Sequence, residues 1–389
     1  MRDVFLTGLG QTAVGEHWSA SLRDLAAQAA GQAVREAGGR PPLALFVANM
    51  LSGQLSGQAH LGALIADYCG WRGIEAATVE AAGASGGAAL RQAVIAVGSG
   101  AIDSALVVGV EKMTDKIGPG VNAALATAHD GDYEAAQGAT PAVLAALLMR
   151  RYMHNYGVGL AEFAGFSVNA HANGKTNPNA MYRNLVTAEV YLRAGMVADP
   201  INLFDSAPDA DGAAAVLLSV EPLPGRPAIR VAASASATDA LALHDRAESL
   251  VLSAAALSAH RAYKLAGVNP EQIRVLELHD AFGILAALSL EACGYAGPGE
   301  GWRLAANGAA AIARDGRIPV STFGGLKARG NPGGATGVYQ TVEVALQLRG
   351  EAGPNQVGAP NGDAPRWGMA QSLGSLGAIA VTHIFERIG

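Results

Sequence analysis

The sequence predicts an α/β protein of two related halves around a mostly parallel sheet, with a polar insertion in the first half. Three observations carry this. Short β-rich runs alternate with longer Ala-rich helical stretches along the 389 residues, the pattern of βαβ units. Two segments of the first half are echoed, in order, in the second. Apolar residues reach 50 % and charged residues only 15 %, so a large core can be buried. Taking the elements in turn, residues 4–8 read as a strand, 21–37 as a helix and 43–48 as a strand. Residues 61–69 read as helix, 77–81 as strand, 86–97 as helix and 103–109 as a buried strand. From about 114 to 199 the chain turns more polar, with Arg150, Arg151, Tyr152 and His154 clustered and Pro pairs at 177–178 and 199–200. This reads as an inserted, loop-rich helical cap. Alternation returns at 212–218 and runs through 229–233, 247–265, 275–278, 320–322, 337–348 and 378–384.

The echoes are VEAAGASG at 79–86 against LELHDAFG at 276–283, and GAAAV at 212–216 against GAIAV at 377–381. Glu80 precedes Gly212 by 132 positions, and Glu277 precedes Gly377 by 100. The surplus places the insertion in the first half. The expected division is 1–220, containing a cap at 114–199, and 221–389.

Composition excludes several classes. The chain holds 50 glycines, about double the usual share of roughly 7 %, beside abundant alanine. Helices can therefore pack closely through small side chains. A net charge of -6 and no Lys/Arg-rich run argue against nucleic acid. Cys69 and Cys293 are the two cysteines, too few for a disulfide framework or a four-ligand zinc site. No window of 18 apolar residues spans a membrane. The chain reads as soluble and cytoplasmic. GNPGGATG at 330–337 lacks the GK[ST] of a P-loop, and GLGQTAVG at 8–15 lacks GxGxxG spacing.

Several segments together resemble the thiolase superfamily: VEAAGASGGAALRQA (79–93), ALVVGVEKMTD (105–115), DADGAAAVLLS (209–219), ELHDAFG (277–283) and GGLKARGNPGGATGVYQ (324–340). The cap segments RRYMHNYG (150–157) and NAHANGKTNPNAMYRN (169–184) are similar to sterol-carrier-protein thiolases and archaeal acetoacetyl-CoA thiolases. The resemblance covers nearly the whole chain. It implies a thiolase fold: duplicated βαβαβαββ halves in a five-layer α/β/α/β/α stack with a loop domain. It also implies a coenzyme A thioester as substrate, no tightly bound cofactor or metal, and a homodimer or dimer of dimers.

The departures from the family pattern are informative. The resemblance implies a nucleophilic Cys where this chain has Gly83, at a helix N-terminus that would favour a thiolate. Gly has no side chain to carry an acyl group. Gly83 serves either as a small residue in a tight turn or as space for substrate. The family's HDCF reads here His279-Asp280-Ala281-Phe282, and its HNxG reads Gln371-Ser372-Leu373-Gly374. Asn331 replaces the GHP His. By resemblance, His279 and Asn331 form a donor pair for a thioester oxygen. Asp280 either orients His279 or acts as a base, or it is a solvated or capping carboxylate. Tyr339 and Tyr295 are site candidates or packing aromatics. Gly334 and Ser372 complete the expected substrate-binding set. His154 and His171 either touch CoA or lie on the cap surface.

Three functions follow as expectations. The first is a thiolase-like enzyme that breaks or makes a carbon–carbon bond in acyl-CoA esters without a Cys acyl-enzyme, retro-aldol cleavage being favoured. The alternatives are a non-catalytic CoA-binding scaffold and an acetyl-CoA acetyltransferase. By resemblance to the archaeal and aldolase types, a small zinc-ribbon/OB-fold partner completes the substrate tunnel.

Overall fold

A computed structural model describes residues 2–358 and 363–389. In chain order the first half comprises β1 (Phe5–Gln11), α1 (Leu22–Glu36), β2 (Ala44–Ala48), α2 (Leu61–Tyr68), β3 (Glu75–Val79), α3 (Ser85–Ser99) and β4 (Ser104–Glu111). The insertion follows with α4 (Gly118–Ala126), α5 (Pro141–Tyr156), α6 (Ala164–Gly174), α7 (Ala188–Arg193), β5 (Met196–Ala198) and β6 (Ile201–Asn202). After it comes β7 (Gly212–Ser219). The remainder is β8 (Ala228–Thr238), α8 (Ser253–Ala266), β9 (Val275–Glu277), α9 (Gly283–Ala292), the one-turn α10 (Ala306–Ala309), α11 (Thr336–Arg349), β10 (Trp367–Gly374) and β11 (Ile379–Ile388).

The strands run in the order β3-β2-β4-β7-β1-β8-β11-β10-β9. Read outward from the centre, β1-β7-β4-β2-β3 mirrors β8-β11-β10-β9, and Val320 bridges Leu276 in parallel where a fifth strand would lie. The duplication is thus present in the topology: β7 and β11 correspond, as the 212–216/377–381 echo expects, but β9 corresponds to β2 and not to β3, so the 79–86/276–283 echo does not join equivalent segments. The two sets meet through a short antiparallel contact, Phe5 opposite Arg230 and Leu6 opposite Ile229. The sheet is mixed rather than mostly parallel. β2 is parallel to β3 and β4, and β10 to β9, but β7 and β11 run antiparallel to their neighbours. A turn as short as the one from β10 to β11 can only join antiparallel strands.

Small residues set the layer spacing. The buried stripe Ala26, Ala29, Ala30 and Ala33 of α1 lies on β1, where a Cβ on Gly8 or Gly10 would meet the Ala33 or Ala29 carbonyl oxygen at 2.0 or 2.1 Å. α1 starts at a capping box, in which Ser21 accepts from the Asp24 amide and Asp24 accepts from the Ser21 amide. α3 and α11 form the middle layer, packed between strands of both sets. A Cβ on Gly86 would sit 2.7 Å from the Val338 nitrogen, and one on Gly337 would sit 2.6 Å from the Gly87 nitrogen. α8 and α9 cover the outer face of the second set, with β10 and β11 residues in the same core. No helix of the described residues is long and apolar enough to cross a membrane.

Candidate active site

Four chain segments meet around one cavity of about 210 Å³. The first is the turn from β3 into α3. There Ser85 Oγ donates to the Ala82 carbonyl at 2.6 Å and accepts from the Ala81 amide at 2.9 Å. Ala82 takes a left-handed φ of 50°, and Gly83 faces the cavity. The second is the β9–α9 connection, bearing His279, Ala281 and Phe282. The third is the segment entering α11, bearing Asn331 and Gly333. The fourth is the β10–β11 turn, with Leu373, Ser375 and Leu376. The insertion closes the open side with Asn122, Leu125, His129, Pro141 and Val197. Because the halves are duplicated, Gly83 and Asn331 precede the two central helices at corresponding places.

Gly83 is where the lack of a side chain has a direct structural consequence. A Cβ there would lie 2.7 Å from the Leu373 carbonyl oxygen and 2.9 Å from His279 Cε1. The His279 ring and the Leu373 carbonyl therefore take up the direction in which a side chain would point, while Gly83 itself still lines the cavity. His279 Nδ1 is buried with no hydrogen-bond partner, and Nε2 lies on the Gly83 side. Burial, reinforced by the Arg329 charge, pushes the imidazole down to about 4, so it is neutral at physiological pH. In the tautomer that protonates Nε2, Nδ1 leaves only a lone pair unpartnered.

Asn331 is oriented by its surroundings. Its backbone N–H donates to the Pro208 carbonyl at 3.0 Å, and its side-chain Oδ1 accepts from Thr336 Oγ1 at 2.8 Å. With Oδ1 engaged, the free end of the side chain is the NH₂ donor. A backbone bridge pairs Asn331 with Asp209, which lines the same cavity. The Asp209 carboxylate accepts no hydrogen bond among the described residues, and burial raises it to about 6. Two positions on, Asp211 is surrounded by donors: Lys112 Nζ at 2.8 Å, the Met113 amide at 2.7 Å and the Thr114 hydroxyl at 2.7 Å. Burial pushes Asp211 up, but these bonds outweigh it and leave it below the usual range.

The other expected site residues lie outside this cavity. Asp280 turns away from it, accepting from the Leu326 amide at 2.7 Å and Ser321 Oγ at 3.1 Å. It pins the loop before α11 and does not orient His279. Tyr339 is fully buried, and its hydroxyl donates to the Thr12 carbonyl at 3.1 Å. It is a packing aromatic with the Arg329 guanidinium 5.1 Å from its ring centroid. Tyr295 packs into the core around α8 and α9. Ser372 sits at the α3–α11 crossing and donates to Gln340 Oε1 at 3.1 Å. Gly334 donates its amide to Glu111 Oε2 at 3.0 Å, one residue beyond the cavity-lining Gly333. His171 is buried, its Nδ1 3.0 Å from the Asn184 carbonyl, and His154 lies exposed on α5. Neither cysteine lines the cavity; burial pushes the Cys293 thiol up to about 12.

Three lining residues escaped the sequence reading. Asp209 stands inside a quoted segment, but nothing in DADG separates the hydrogen-bonded acid from the free one. His129 lies in the insertion, where no periodicity points to it. Ser375 follows directly after the HNxG-like segment and carries no motif of its own. Below the cavity Arg329 Nη1 pairs with Glu343 Oε2 at 2.6 Å, both fully buried, while Lys327 Nζ lies 3.6 Å from Asp205 Oδ1. Among the described residues no group of three or more His, Cys, Asp or Glu is placed to hold a metal.

Fold and cavity together define a protein of two duplicated α/β halves, with one cavity where both central helices begin. The family model for the thiolase N-terminal domain matches residues 4–252, and the thiolase C-terminal domain-like model matches residues 235–387. The chain belongs to the thiolase superfamily. It is 43 % identical, over all of both chains, to an acetyl-CoA acetyltransferase of Methanothermobacter thermautotrophicus. It is 30 % identical to a benzoylsuccinyl-CoA thiolase subunit of Thauera aromatica, covering 92 % of this chain and 91 % of that one. Among solved structures, an Ltp2-ChsH2(DUF35) aldolase superposes with a TM-score of 0.84 at 22 % identity, covering 99 % of this chain and 98 % of the other.

Proposed function

We propose that this cavity binds the acyl end of a coenzyme A thioester and cleaves or forms a carbon–carbon bond by aldol chemistry, without a cysteine acyl-enzyme. One observation carries the reading. His279, Asn331 and Asp209 face one cavity, while the place expected for the nucleophile is Gly83, with an imidazole packed against it. Retro-aldol cleavage of a β-hydroxyacyl thioester needs a base for the hydroxyl and donors for the enolate oxygen. Asp209 takes the hydroxyl proton and the alkoxide collapses to a carbonyl. The released electron pair becomes an enolate held by His279 Nε2–H and Asn331 NH₂. The proton on Asp209 then returns to the α-carbon. The similarly folded aldolase supports this reading. The name of the archaeal relative supports the runner-up, an acetyl-CoA acetyltransferase, against which stands the missing thiol.

The assembly belongs to the same proposal. β3 ends the sheet with one edge unpaired, and four of its five residues are exposed; we assign this edge to a homodimer contact. The insertion exposes Leu185, Val190, Leu192 and Met196, and Val197 is both exposed and lines the cavity. That patch suits a small partner protein that completes the substrate tunnel, as the two-component name of the aldolase suggests. The test is an assay of the purified chain on a panel of β-hydroxyacyl-CoA esters, alone and with a co-purifying partner. Release of a carbonyl product and a shortened acyl-CoA supports aldol chemistry. Thiolysis of acetoacetyl-CoA above a buffer control supports the acetyltransferase.

A further inference from the structure

On the reading that the cavity receives an acyl-CoA thioester, we propose that Ser375 and His129 form a second reactive pair, which takes the acyl group onto Ser375 Oγ and releases it to water. Three independent observations converge on it. Ser375 and Leu376 are consecutive L-residues with left-handed φ of 47° and 52°, in the turn that follows β10. Such backbone costs free energy and persists only where the surroundings impose it. Here the buried Arg246 imposes it, donating from Nη2 to the Ser375 carbonyl at 3.0 Å and from Nη1 to the Leu376 carbonyl at 2.9 Å. Ser375 is held in this strained turn after a strand and lines the cavity wall.

The second observation is the partner. Ser375 Oγ lies 2.9 Å from Nδ1 of His129, a residue of the insertion. Burial holds His129 below its ordinary range; Glu134 opposes this and the Arg246 charge adds to it. The ring is therefore neutral, and in the tautomer that carries hydrogen on Nε2 its Nδ1 lone pair faces the Ser375 hydroxyl. Its Nε2 has no partner among the described residues, so the bond to Ser375 is the imidazole's one polar contact. Third, both residues line the same cavity as His279 and Asn331, the donors already assigned to the thioester oxygen.

The chemistry closes. The Oγ–C bond forms as the hydroxyl proton passes to His129 Nδ1, and the tetrahedral oxyanion is held by His279 and Asn331. Collapse breaks the C–S bond, and the CoA sulfur leaves with the proton from His129. Water then attacks the ester by the same route, restoring the Ser375 hydroxyl and releasing the free acid.

Propionyl-CoA provides the test, because it has no β-hydroxyl and retro-aldol cleavage cannot touch it. Free CoA thiol is followed with wild type, Ser375→Gly and His129→Gln. Ser375→Gly removes the hydroxyl and suits the left-handed φ, so its melting temperature should equal or exceed that of wild type. The expected result is enzyme-dependent CoA release, abolished by Ser375→Gly and slowed about 10²-fold or more by His129→Gln. Wild-type release no faster than buffer, with propionyl-CoA shown by calorimetry to bind, overturns this proposal alone. So does release that survives Ser375→Gly. If neither propionyl-CoA nor any β-hydroxyacyl-CoA binds, the acyl-CoA reading itself falls, and this pair with it.

Discussion

Asp209 and Asp211 are two positions apart, yet one carboxylate is satisfied by donors and the other faces the cavity with none. Burial raises Asp209 to about 6, so its basic form dominates above that pH. We expect kcat/KM for the aldol reaction to rise between pH 5 and 7 with an apparent pKa near 6, a limb that Asp209→Asn should erase. His279, pushed down to about 4, stays neutral across this window and contributes no limb. A carboxylate raised on folding favours the protonated folded state, so its contribution is lost as pH rises through about 6. Asp209→Asn should therefore stabilise the fold at pH 8, by at most about 3 kcal/mol. The gain should vanish below pH 4, as urea titrations at the two pH values would show. His279→Ala and Asn331→Ala should each lower kcat by about 10²-fold or more with KM nearly unchanged. A loss confined to KM would make them binding residues only. Gly83→Cys should not create a thiolase, because its Cβ would collide with the Leu373 carbonyl and the His279 ring.

Among the elements, the contact between α3 and α11 most directly sets the cavity, since both helices begin at it. A methyl on Gly86 would meet the α11 backbone at 2.7 Å, and backbone cannot swing aside as a flexible side chain can. Gly86→Ala should destabilise the protein by about 1–3 kcal/mol and lower activity, although position 86 itself does not line the cavity. Gly120→Ala on the exposed α4, where the nearest atom is the Lys116 Cβ at 3.8 Å, should instead be neutral or stabilising by up to about 1 kcal/mol. Equal denaturant midpoints for the two variants would refute this account of the crossing. The fully buried Arg329–Glu343 pair fastens α11 to the loop before it. Removing either partner alone should cost about 3–5 kcal/mol, because it strands the other charge.

At the scale of the whole molecule, the unpaired β3 edge and the apolar surface of the insertion lie on different parts of the chain. The proposed second copy and smaller partner would therefore occupy separate contacts. Replacing Ala76 and Ala77 together with lysine should convert a dimer to a monomer in light scattering, with the melting temperature little changed. A wild-type chain that is already monomeric at micromolar concentration would refute the β3 assignment.

Much of this was legible in the sequence, for a physical reason. Alternating apolar periods and the Gly/Ala content report local geometry and close layer packing, so the α/β class and the insertion can be read directly, whereas of the two echoes only 212–216 against 377–381 joins corresponding strands. The approach of Gly83, His279 and Asn331 was available through motif segments in a fixed order. β10 was not: residues 367–374 hold two glycines and no β-branched residue, and their strand character comes from burial between β9 and β11. Nor was the antiparallel placement of β7 and β11, which depends on how the halves close. Side-chain direction was equally hidden. Asp280 and Tyr339 sit in or beside the matching motifs yet point into the scaffold, while Asp209, His129 and Ser375 reach the cavity from three distant segments. Composition and period are properties of neighbours along the chain. Which of two nearby carboxylates finds hydrogen-bond donors, and which is left facing a cavity, is decided only when remote segments pack.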